Sequence, residues 1–346
     1  MNNLINHPLD SSTGKKQVPV WFMRQAGRYH SHYQSIRKKS DFMTMCKTPE
    51  LACEITMGPI RDFDFSAAIL FSDLLFPLEF LGMGLDYLQG PPRLGFHLEK
   101  ESDLNRLNPI ADEESFFDFQ KQALKLLSKE LPKDKTLIGF AGAPFTLFTY
   151  AVEGSHKGNL VNTKKFLYQG VYEKFYQKLK KSLIKNLLIQ AQGGAQALCL
   201  FDTAAGELCS FDFKNFLIPH LNEIFTEFKS HYPKVSLTYY SKMTSPQWLV
   251  GEGLACDILA FDWRTDLVKA SESLSSYTLQ GNIDPAWLHL EKNHLKRNLE
   301  ELKRHLDQNN FDYSKWIFGL GHGVLIETPE DNVRFCVEWV KKNLQY

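Results

Sequence analysis

The chain has 346 residues, of which 43% are hydrophobic, and its 40 basic residues balance 40 acidic ones. A chain of this size can bury a large core. With a net charge of zero it lacks the overall positive field that draws proteins to nucleic acid or to anionic membranes. We therefore expect neither kind of partner, and any anion site has to be a local cluster of cations.

The N-terminal residues and the cysteines bear on location and on metal binding. Residues 1–16 lack an apolar signal segment, and no apolar run approaches the ~18 residues of a membrane span. The six cysteines are scattered, with no Cys-x-x-Cys pair and no histidine at zinc-ligand spacing. We predict a cytoplasmic protein with reduced thiols and no metal site.

Seven short apolar segments recur along the chain in a pattern that predicts buried parallel strands. They are nearly continuous rather than alternating, as expected when both faces of a sheet are covered. An eighth strand is predicted either in "PVWFM" (19–23) or at 83–88, and the sequence does not choose between the two. The seven segments are 67–73, 137–144, 197–203, 236–242, 258–263, 277–284 and 316–323.

Long stretches of helical composition lie between most of these segments, at 164–192, 213–230, 265–275 and 286–307. Four helix starts place a capping side chain before a proline: Thr48-Pro49, Ser245-Pro246, Asp284-Pro285 and Thr328-Pro329. Strand and helix therefore alternate as βαβ units. Uninterrupted composition predicts one domain over residues 17–346, preceded by a flexible N-terminal segment at 1–16.

Two α/β folds fit this alternation: a single-domain (β/α)8 TIM barrel and an open, doubly wound parallel sheet. Small, polar or titratable residues follow nearly every predicted strand. A barrel builds its site at the carboxyl ends of many strands, whereas an open sheet concentrates it at one switch point. Because the polar residues follow many strands rather than one pair, the pattern favours the barrel. It also predicts a large ligand that is contacted from several directions.

Asp73 ends the first predicted strand and is the leading candidate for a central acid. It is either a helix cap or a partner of a structural arginine, or a carboxylate at the pocket floor. In the latter position it would accept hydrogen bonds from ligand N–H groups and stabilise developing positive charge.

Arg24, Arg28 and Arg37 lie within fourteen residues, in and after the motif "RQAGRY" (24–29). A cation near a core needs an anionic partner. Any one of the three is more simply a structural ion-pair partner, but three together favour an anion site. Guanidinium groups bind carboxylates bidentately, and no glycine-rich phosphate motif is present. The cluster predicts a polycarboxylate ligand.

Three further residues follow predicted strands. His322 lies between two glycines in "GLGHG" (319–323), which let a ligand come close to the backbone. Tyr150 either directs its hydroxyl to the mouth or packs as an aromatic group on the barrel. Thr203 either caps a helix or donates to a ligand carboxylate.

Six segments together resemble the signature segments of the uroporphyrinogen decarboxylase family, over roughly residues 18–340. The resemblance implies a single (β/α)8 barrel, a homodimer, and a carboxy-lyase that needs no metal or organic cofactor. The implied reaction removes the four acetate carboxyls of uroporphyrinogen III, a tetrapyrrole of haem biosynthesis, to give coproporphyrinogen III. The segments are "PVWFMRQAGRY", "AAILFSD", "GFAGAPFTLFTYAVEG", "LFDTAAG", "LQGNIDP" and "GLGHG".

The resemblance also assigns roles to individual residues. It makes Asp73, Arg24 and Arg28 the catalytic candidates. It implies substrate binding by Arg24, Gln25, Ala26, Gly27, Arg28, Arg37, Asp73, Tyr150, Thr203 and His322. The chain departs from the family pattern at Gly319, at Ala204 and at residues 30–33, positions that border the predicted pocket.

Two alternative functions remain open from sequence. A corrinoid-dependent methyltransferase shares the fold but uses a zinc site of His and Cys, which this chain does not show. A non-catalytic tetrapyrrole-binding protein would keep the pocket without releasing carbon dioxide. The proton donor of a decarboxylase is also open, between a relay through Arg24 or Arg37 and His322 itself.

Overall fold

Parallel strands in chain order form the centre of the structure. The computed structural model describes Leu9 and residues 13–87, 90–156, 158–243 and 253–346. Within these residues seven strands form one sheet, in which each strand pairs in parallel with the next along the chain. They are β1 (Ala67–Ile69), β2 (Thr136–Gly142), β3 (Ala197–Asp202), β4 (Ser236–Ser241), β5 (Ile258–Ala260), β6 (Thr278–Ile283) and β7 (Trp316–Leu320).

Each of the seven predicted segments overlaps one strand, so their positions are confirmed, although β2 begins one residue earlier than predicted. β1 and β5 are shorter than predicted, with three residues each. Hydrogen-bonded turns follow both strands. Asp73 accepts a hydrogen bond from the Leu75 N–H, and Asp262 accepts one from the Arg264 N–H.

Residues 19–21 connect the two edges of this sheet by backbone hydrogen bonds. Phe318 N–H of β7 donates to Pro19 O at 2.8 Å, and Ser66 N–H, next to β1, donates to Val20 O at 2.8 Å. Val20 also forms a parallel bridge with Phe318. In the alternative segment, Asp86 pairs antiparallel with Arg93 instead of joining the sheet, and Leu88 lies outside the described residues.

Helices follow the strands and cover the outer face of the sheet. The described α-helices are α1 (Ser31–Arg37), α2 (Phe42–Lys47), α3 (Pro49–Phe63), α4 (Phe76–Leu78), α5 (Glu113–Phe116), α6 (Asp118–Glu130), α7 (Pro144–Glu153), α8 (Val161–Tyr168), α9 (Val171–Gly193), α10 (Ser210–Asp212), α11 (Ile218–His231), α12 (Leu267–Ser273), α13 (Lys292–Gln308) and α14 (Glu330–Asn343). Glu79–Met83 and Phe213–Leu217 are π-helical, and Glu101–Arg106, Ala205–Glu207, Pro285–His289 and Tyr313–Lys315 are 3₁₀ turns.

Two details differ from the helix predictions. The stretch 164–192 forms two helices rather than one, because Gly170 takes a left-handed conformation (φ +76°) between them. Asp284 caps its helix as predicted, by accepting from the Ala286 N–H, but the Thr48 side chain makes no cap hydrogen bond. Thr328 bonds to His289 instead of its helix, and Ser245 lies outside the described residues.

The sheet is buried on both faces, as the continuous apolar segments predicted. One hydrophobic cluster lies between the sheet and the helices. A second, smaller cluster takes alternate residues from the strands and adds Trp21 and Met23 from the segment before α1. No helix within the described ranges is long and apolar enough to cross a membrane.

Residues 16 and 17 lie beside the C-terminal residues of the chain. Lys16 and Tyr346 exchange backbone hydrogen bonds of 3.1 and 3.0 Å, and Gln17 forms an antiparallel bridge with Gln345. The described part of the N-terminal segment therefore pairs with the C-terminus, while the division at residue 16 stays a prediction.

Candidate active site

The candidate site lies beyond the carboxyl ends of the strands, where residues from distant parts of the chain act on one another. The charges of Asp73 and Arg24 both shift the pKa of the Tyr150 phenol, and the Arg24 charge also acts on the pKa of His322. These four predicted residues share one electrostatic environment although they come from segments separated by up to three hundred positions. They form the centre of the site.

Asp73 is half-buried and accepts hydrogen bonds on both oxygens. The Leu75 N–H donates to Oδ1 at 2.8 Å, and the Tyr87 hydroxyl donates to Oδ2 at 2.5 Å. Within the residues that the structure describes, Asp73 forms no ion pair with a lysine or arginine. The alternative reading of Asp73 as a partner of a structural arginine is therefore wrong.

Burial raises the pKa of Asp73, and the two hydrogen bonds oppose that rise. The nearby Glu79 carboxylate also raises the pKa, and Arg24 lowers it. A carboxylate that is partly desolvated and held by protein donors is ready to interact strongly with a positively charged or N–H-bearing group. That is the property expected of a central acid.

Arg24 has an unusual backbone conformation that aims its side chain across the site. Its φ of +59° lies in the left-handed region, which residues with a Cβ seldom adopt. A Cβ added to Gly323 would lie 2.4 Å from Arg24 Cδ. Because Gly323 has no side chain, the Arg24 side chain can pack against the loop after β7.

The glycines on either side of His322 make room for neighbouring groups of the protein. A Cβ on Gly321 would lie 2.4 Å from the Trp263 N, and one on Gly323 would strike Arg24. The sequence-based reason for these glycines was close approach of a ligand. The structure corrects it, because both positions are filled by neighbouring protein groups.

His322 is a neutral imidazole with a defined tautomer. Its Nδ1 accepts a hydrogen bond from the Gly323 N–H at 2.6 Å, so the proton of the neutral ring is on Nε2. Burial, followed by the positive charges of Arg24, Lys242 and His156, lowers its pKa to about 3. At physiological pH it can donate one hydrogen bond but is a poor source of a proton.

Arg28 and Arg37 lie on another side of the site. Both are exposed, and their charges act on the phenol of buried Tyr33. The Tyr33 ring packs on Phe71, two residues before Asp73, with ring centroids 5.6 Å apart. Among the described residues, Arg24, Arg28 and Arg37 have no ion-pair partner, so all three guanidinium groups are open to an anion.

Tyr150 and Thr203 both present hydroxyl groups near strand ends. The Tyr150 hydroxyl lies 2.7 Å from His156 Nδ1, and burial raises the pKa of the phenol to about 12, so it keeps its proton. The Thr203 hydroxyl is buried with no hydrogen-bond partner in the described part of the chain. A buried unpaired hydroxyl costs roughly 1–3 kcal/mol, which a bound acceptor would recover.

The neighbouring Asp202 is structural. It is fully buried and accepts hydrogen bonds from Thr146 Oγ1 at 2.7 Å and from the Tyr239 hydroxyl at 2.9 Å. Burial raises its pKa to about 6. Thr146 also accepts from the Ala204 N–H, so the network fixes the chain on both sides of Thr203.

Within the stretch 24–28, the Gln25 side chain is held by the protein itself. Gln25 is fully buried, its Oε1 accepts from the Phe22 N–H, and its Nε2 donates to Ala67 O at 2.9 Å. This amide ties the motif to β1 and is not free for a ligand. Ala26 and Gly27 are half-buried, and a Cβ on Gly27 would lie 2.7 Å from Arg24 O, so the turn requires glycine.

The departures from the family pattern mostly lie behind the pocket. His30 is fully buried and bonds to Asp62 at 2.7 Å, and His32 bonds to Glu54 at 2.8 Å. Ala204 is buried, and Gly319 lies against the Trp21 backbone. These residues support α1 and the strand ends and are not themselves charged groups of the site.

Three site residues were not found from the sequence: Tyr87, His156 and Lys242. Lys242 directly follows β4, at the end of the predicted segment 236–242. His156 follows α7, and Tyr87 follows the π-helical turn Glu79–Met83. Tyr87 and His156 lie in irregular segments without a periodic pattern, so only folding brings them to Asp73 and His322.

A parallel α/β sheet with polar groups beyond the carboxyl ends of its strands defines a single-domain, TIM-barrel-like protein with its candidate site at that end. A family model described as "Uroporphyrinogen decarboxylase (URO-D)" matches residues 11–343. The chain belongs to the uroporphyrinogen decarboxylase family.

Similar proteins agree with this membership. A uroporphyrinogen decarboxylase of Thermodesulfovibrio yellowstonii is 38% identical over 335 residues, covering 93% of this chain and 93% of that protein. The uroporphyrinogen decarboxylase of Geotalea daltonii is 36% identical over 338 residues, covering 96% and 97%. That of Chlorobaculum parvum is 34% identical over 331 residues, covering 94% and 93%.

Solved structures of other enzymes share the fold. A methyltransferase from Methanosarcina mazei superposes with a TM-score of 0.69 at 15% identity, covering 98% of this chain and 96% of that one. A putative vitamin-B12 independent methionine synthase from Listeria monocytogenes gives a TM-score of 0.55 at 14% identity, with coverage of 94% and 96%. Such low identity relates the folds alone. In the described ranges, no three His, Cys, Asp or Glu side chains are grouped to hold a metal ion.

Proposed function

We propose that the protein removes the four acetate carboxyls of uroporphyrinogen III, giving coproporphyrinogen III and carbon dioxide in porphyrin and haem biosynthesis. Membership of the family supports this reaction. The observation that carries it within the site is Asp73, a partly desolvated carboxylate without an ion-pair partner in the described ranges, in the field of Arg24.

Decarboxylation of a pyrrole acetate needs an acceptor for the electrons of the breaking bond. Protonation of the ring carbon that bears the acetate produces a pyrrolium cation. The bond between the methylene carbon and the carboxylate then breaks, carbon dioxide leaves, and the electron pair of that bond neutralises the cation as an exocyclic C=C bond. A second proton, added to the exocyclic carbon, completes the methyl group, and the first proton leaves the ring carbon to restore the pyrrole. Asp73, accepting pyrrole N–H bonds, stabilises the cation, an effect typically worth a few kcal/mol of the barrier. One central acid serves the four rings in turn as the macrocycle rotates.

The three arginines bind the peripheral carboxylates. Arg24 is the guanidinium whose charge reaches Asp73, so it meets the acetate of the reacting ring. Arg28 and Arg37, beside Tyr33, hold carboxylates further from the centre. The stretch 24–28, Tyr150 and Thr203 complete the substrate contacts, with the unpaired Thr203 hydroxyl as a donor to a carboxylate.

His322 is a binding residue in this proposal. A ring whose pKa is about 3 is neutral near pH 7, so it donates a hydrogen bond from Nε2 and supplies no proton. The proton then comes from a substrate carboxyl or water held by Arg24 or Arg37, since a guanidinium keeps its own proton.

We also propose how the barrel closes and how the protein assembles. The hydrogen bonds of residues 19–21 to both sheet edges support an eighth strand that closes a (β/α)8 barrel. The family resemblance leads us to expect a homodimer, a cytoplasmic location and independence of metal or organic cofactors. These three expectations remain predictions.

The test is incubation of purified, metal-free protein with uroporphyrinogen III without oxygen, followed by counting the carboxyl groups of the oxidised product. We expect four carboxyls to remain. Binding without loss of carboxyls would favour a tetrapyrrole carrier, and activity only after zinc is added would favour metal-dependent chemistry.

Asp73→Asn keeps the shape of the side chain but removes its charge. We expect kcat to fall about 100-fold or more while the porphyrinogen still binds. Asp307→Asn is the matched control, because Asp307 also accepts from a tyrosine hydroxyl but lies on an exposed part of α13. Full turnover by the Asp73 variant would refute the charge role.

A further inference from the structure

Tyr87 contacts the central carboxylate directly. Its hydroxyl donates to Asp73 Oδ2 at 2.5 Å, and the Leu75 N–H donates to Oδ1. A carboxylate offers about four acceptor positions. Two donors from different segments fix the plane of the Asp73 carboxylate and leave about two acceptor positions for N–H groups of a ligand.

The Tyr87 ring is held in place by other aromatic rings. It packs on Phe42 of α2 with ring centroids 4.5 Å apart. Phe42 packs on Phe71 at 5.6 Å, and Phe71 packs on Tyr33 at 5.6 Å. This row of rings connects Tyr87 to Phe71, two residues before Asp73. It ends at Tyr33, whose phenol senses the charges of Arg28 and Arg37. The phenol is therefore positioned before any ligand binds.

The Tyr87 hydrogen bond is a main support of the Asp73 charge. Besides Tyr87, the titratable groups in the described ranges whose charges act on Asp73 or respond to it include Arg24, Glu79, Tyr150 and Cys46. Glu79 is paired with Lys47 at 2.6 Å. Burial raises the pKa of Asp73 most, and the Tyr87 hydrogen bond lowers that pKa more than the Arg24 charge does.

We propose that Tyr87 is a positioning residue of the decarboxylation site, whose phenol holds the Asp73 carboxylate as an oriented, charged acceptor for pyrrole N–H groups. The reaction part of this inference rests on the proposed function. The contact between Tyr87 and Asp73 belongs to the free protein and can be tested without substrate.

The variant Tyr87→Phe removes the hydroxyl and keeps the ring that packs on Phe42. Because loss of the donor destabilises the charged form, the pKa of Asp73 rises. The acid limb of kcat/KM against pH should therefore move to higher pH by about one unit or more. Tyr313→Phe is the matched control, since Tyr313 donates to Asp307 at 2.8 Å far from the site and its loss should leave the pH profile unchanged.

A titration without substrate separates this inference from the proposed reaction. Protein labelled with ¹³C at the aspartate carboxyls is titrated by NMR, with Asp73→Asn to assign the Asp73 signal. We expect a higher midpoint for Asp73 in Tyr87→Phe than in the unchanged protein or in Tyr313→Phe. A higher midpoint in protein that releases no carbon dioxide from uroporphyrinogen would uphold the contact and refute the proposed reaction.

Two outcomes would overturn the positioning role. The first is an Asp73 midpoint that is the same in Tyr87→Phe and in the unchanged protein. The second is a loss of kcat/KM in Tyr87→Phe with both the midpoint and the acid limb unmoved, because the hydroxyl would then act on the substrate itself.

Discussion

At the scale of single residues, the site depends on charges that determine the protonation of their neighbours. Burial, followed by the positive charges of Arg24, Lys242 and His156, lowers the pKa of His322 to about 3. Burial raises the pKa of Asp73, and the same Arg24 charge opposes that rise. One guanidinium thus favours a neutral imidazole and an ionised carboxylate, the two states that pyrrole and carboxylate groups of a substrate require.

His322→Gln tests the neutral imidazole. Because a group with a pKa of about 3 does not titrate between about pH 5 and 8, the variant and the unchanged protein should have kcat/KM profiles of the same shape there. KM should rise about tenfold, since the N–H donor is less well placed. His305→Gln, on the exposed face of α13, serves as the control. If the unchanged protein showed a change of kcat/KM near the ordinary histidine pKa, and that change disappeared in His322→Gln, His322 would not be the neutral group that we infer.

Local sequence signals predict part of the candidate site. Arg24, Asp73, Tyr150 and His322 were predicted because each is close to the end of a predicted strand and in a family-like motif, and the structure brings them together. Gln25 was assigned to the substrate, but its amide bonds to Phe22 and Ala67. A motif does not distinguish side chains that face a ligand from those that hold the motif in place.

At the scale of elements, the loop after β7 fits against the segment before α1. Gly323 leaves room for the Arg24 side chain, and the Tyr240 hydroxyl of β4 donates to Gly321 O at 2.9 Å. The loop therefore positions His322 and Arg24 together, and a change in it should disturb function more than folding.

Gly323→Ala places a methyl group 2.4 Å from Arg24 Cδ. The exposed arginine side chain can move away, so we expect the free energy of unfolding to change by less than about 1 kcal/mol. Displacing the guanidinium should lower kcat/KM by up to about 100-fold. Gly90→Ala, where a Cβ meets nothing within 4 Å, should change neither quantity. Equal kinetics in both variants would show that Arg24 need not lie against this loop.

At the scale of the whole molecule, residues 19–21 link the first and last strands of the sheet. The Val20 N–H donates to Ser66 Oγ at 3.0 Å, in addition to the backbone bonds to Ser66 and Phe318. Edge strands with unpaired backbone groups are unfavourable, and this segment pairs both edges at once.

Ser66→Ala removes the hydroxyl that accepts the hydrogen bond from the Val20 N–H and keeps the backbone hydrogen bonds. We expect the free energy of unfolding, measured by urea denaturation, to fall by about 1 kcal/mol. Ser230→Ala is the control, because its exposed hydroxyl bonds only to the nearby Glu227 carbonyl. The same loss of stability in both variants would argue against a special role for the link.

The sequence alone determined the strand segments and their parallel arrangement, and it predicts the carboxylate and guanidinium groups of the candidate site. Continuous apolar runs, strand–helix alternation and strand-end polar residues are local signals, and the family-like motifs add the chemistry. Only the tertiary structure shows which segment links the sheet edges. It also shows that Gly323 leaves room for the Arg24 side chain and that the Tyr87 hydroxyl donates to the Asp73 carboxylate. Those contacts join residues from separate segments, so they arise from packing, which no short stretch of sequence encodes by itself.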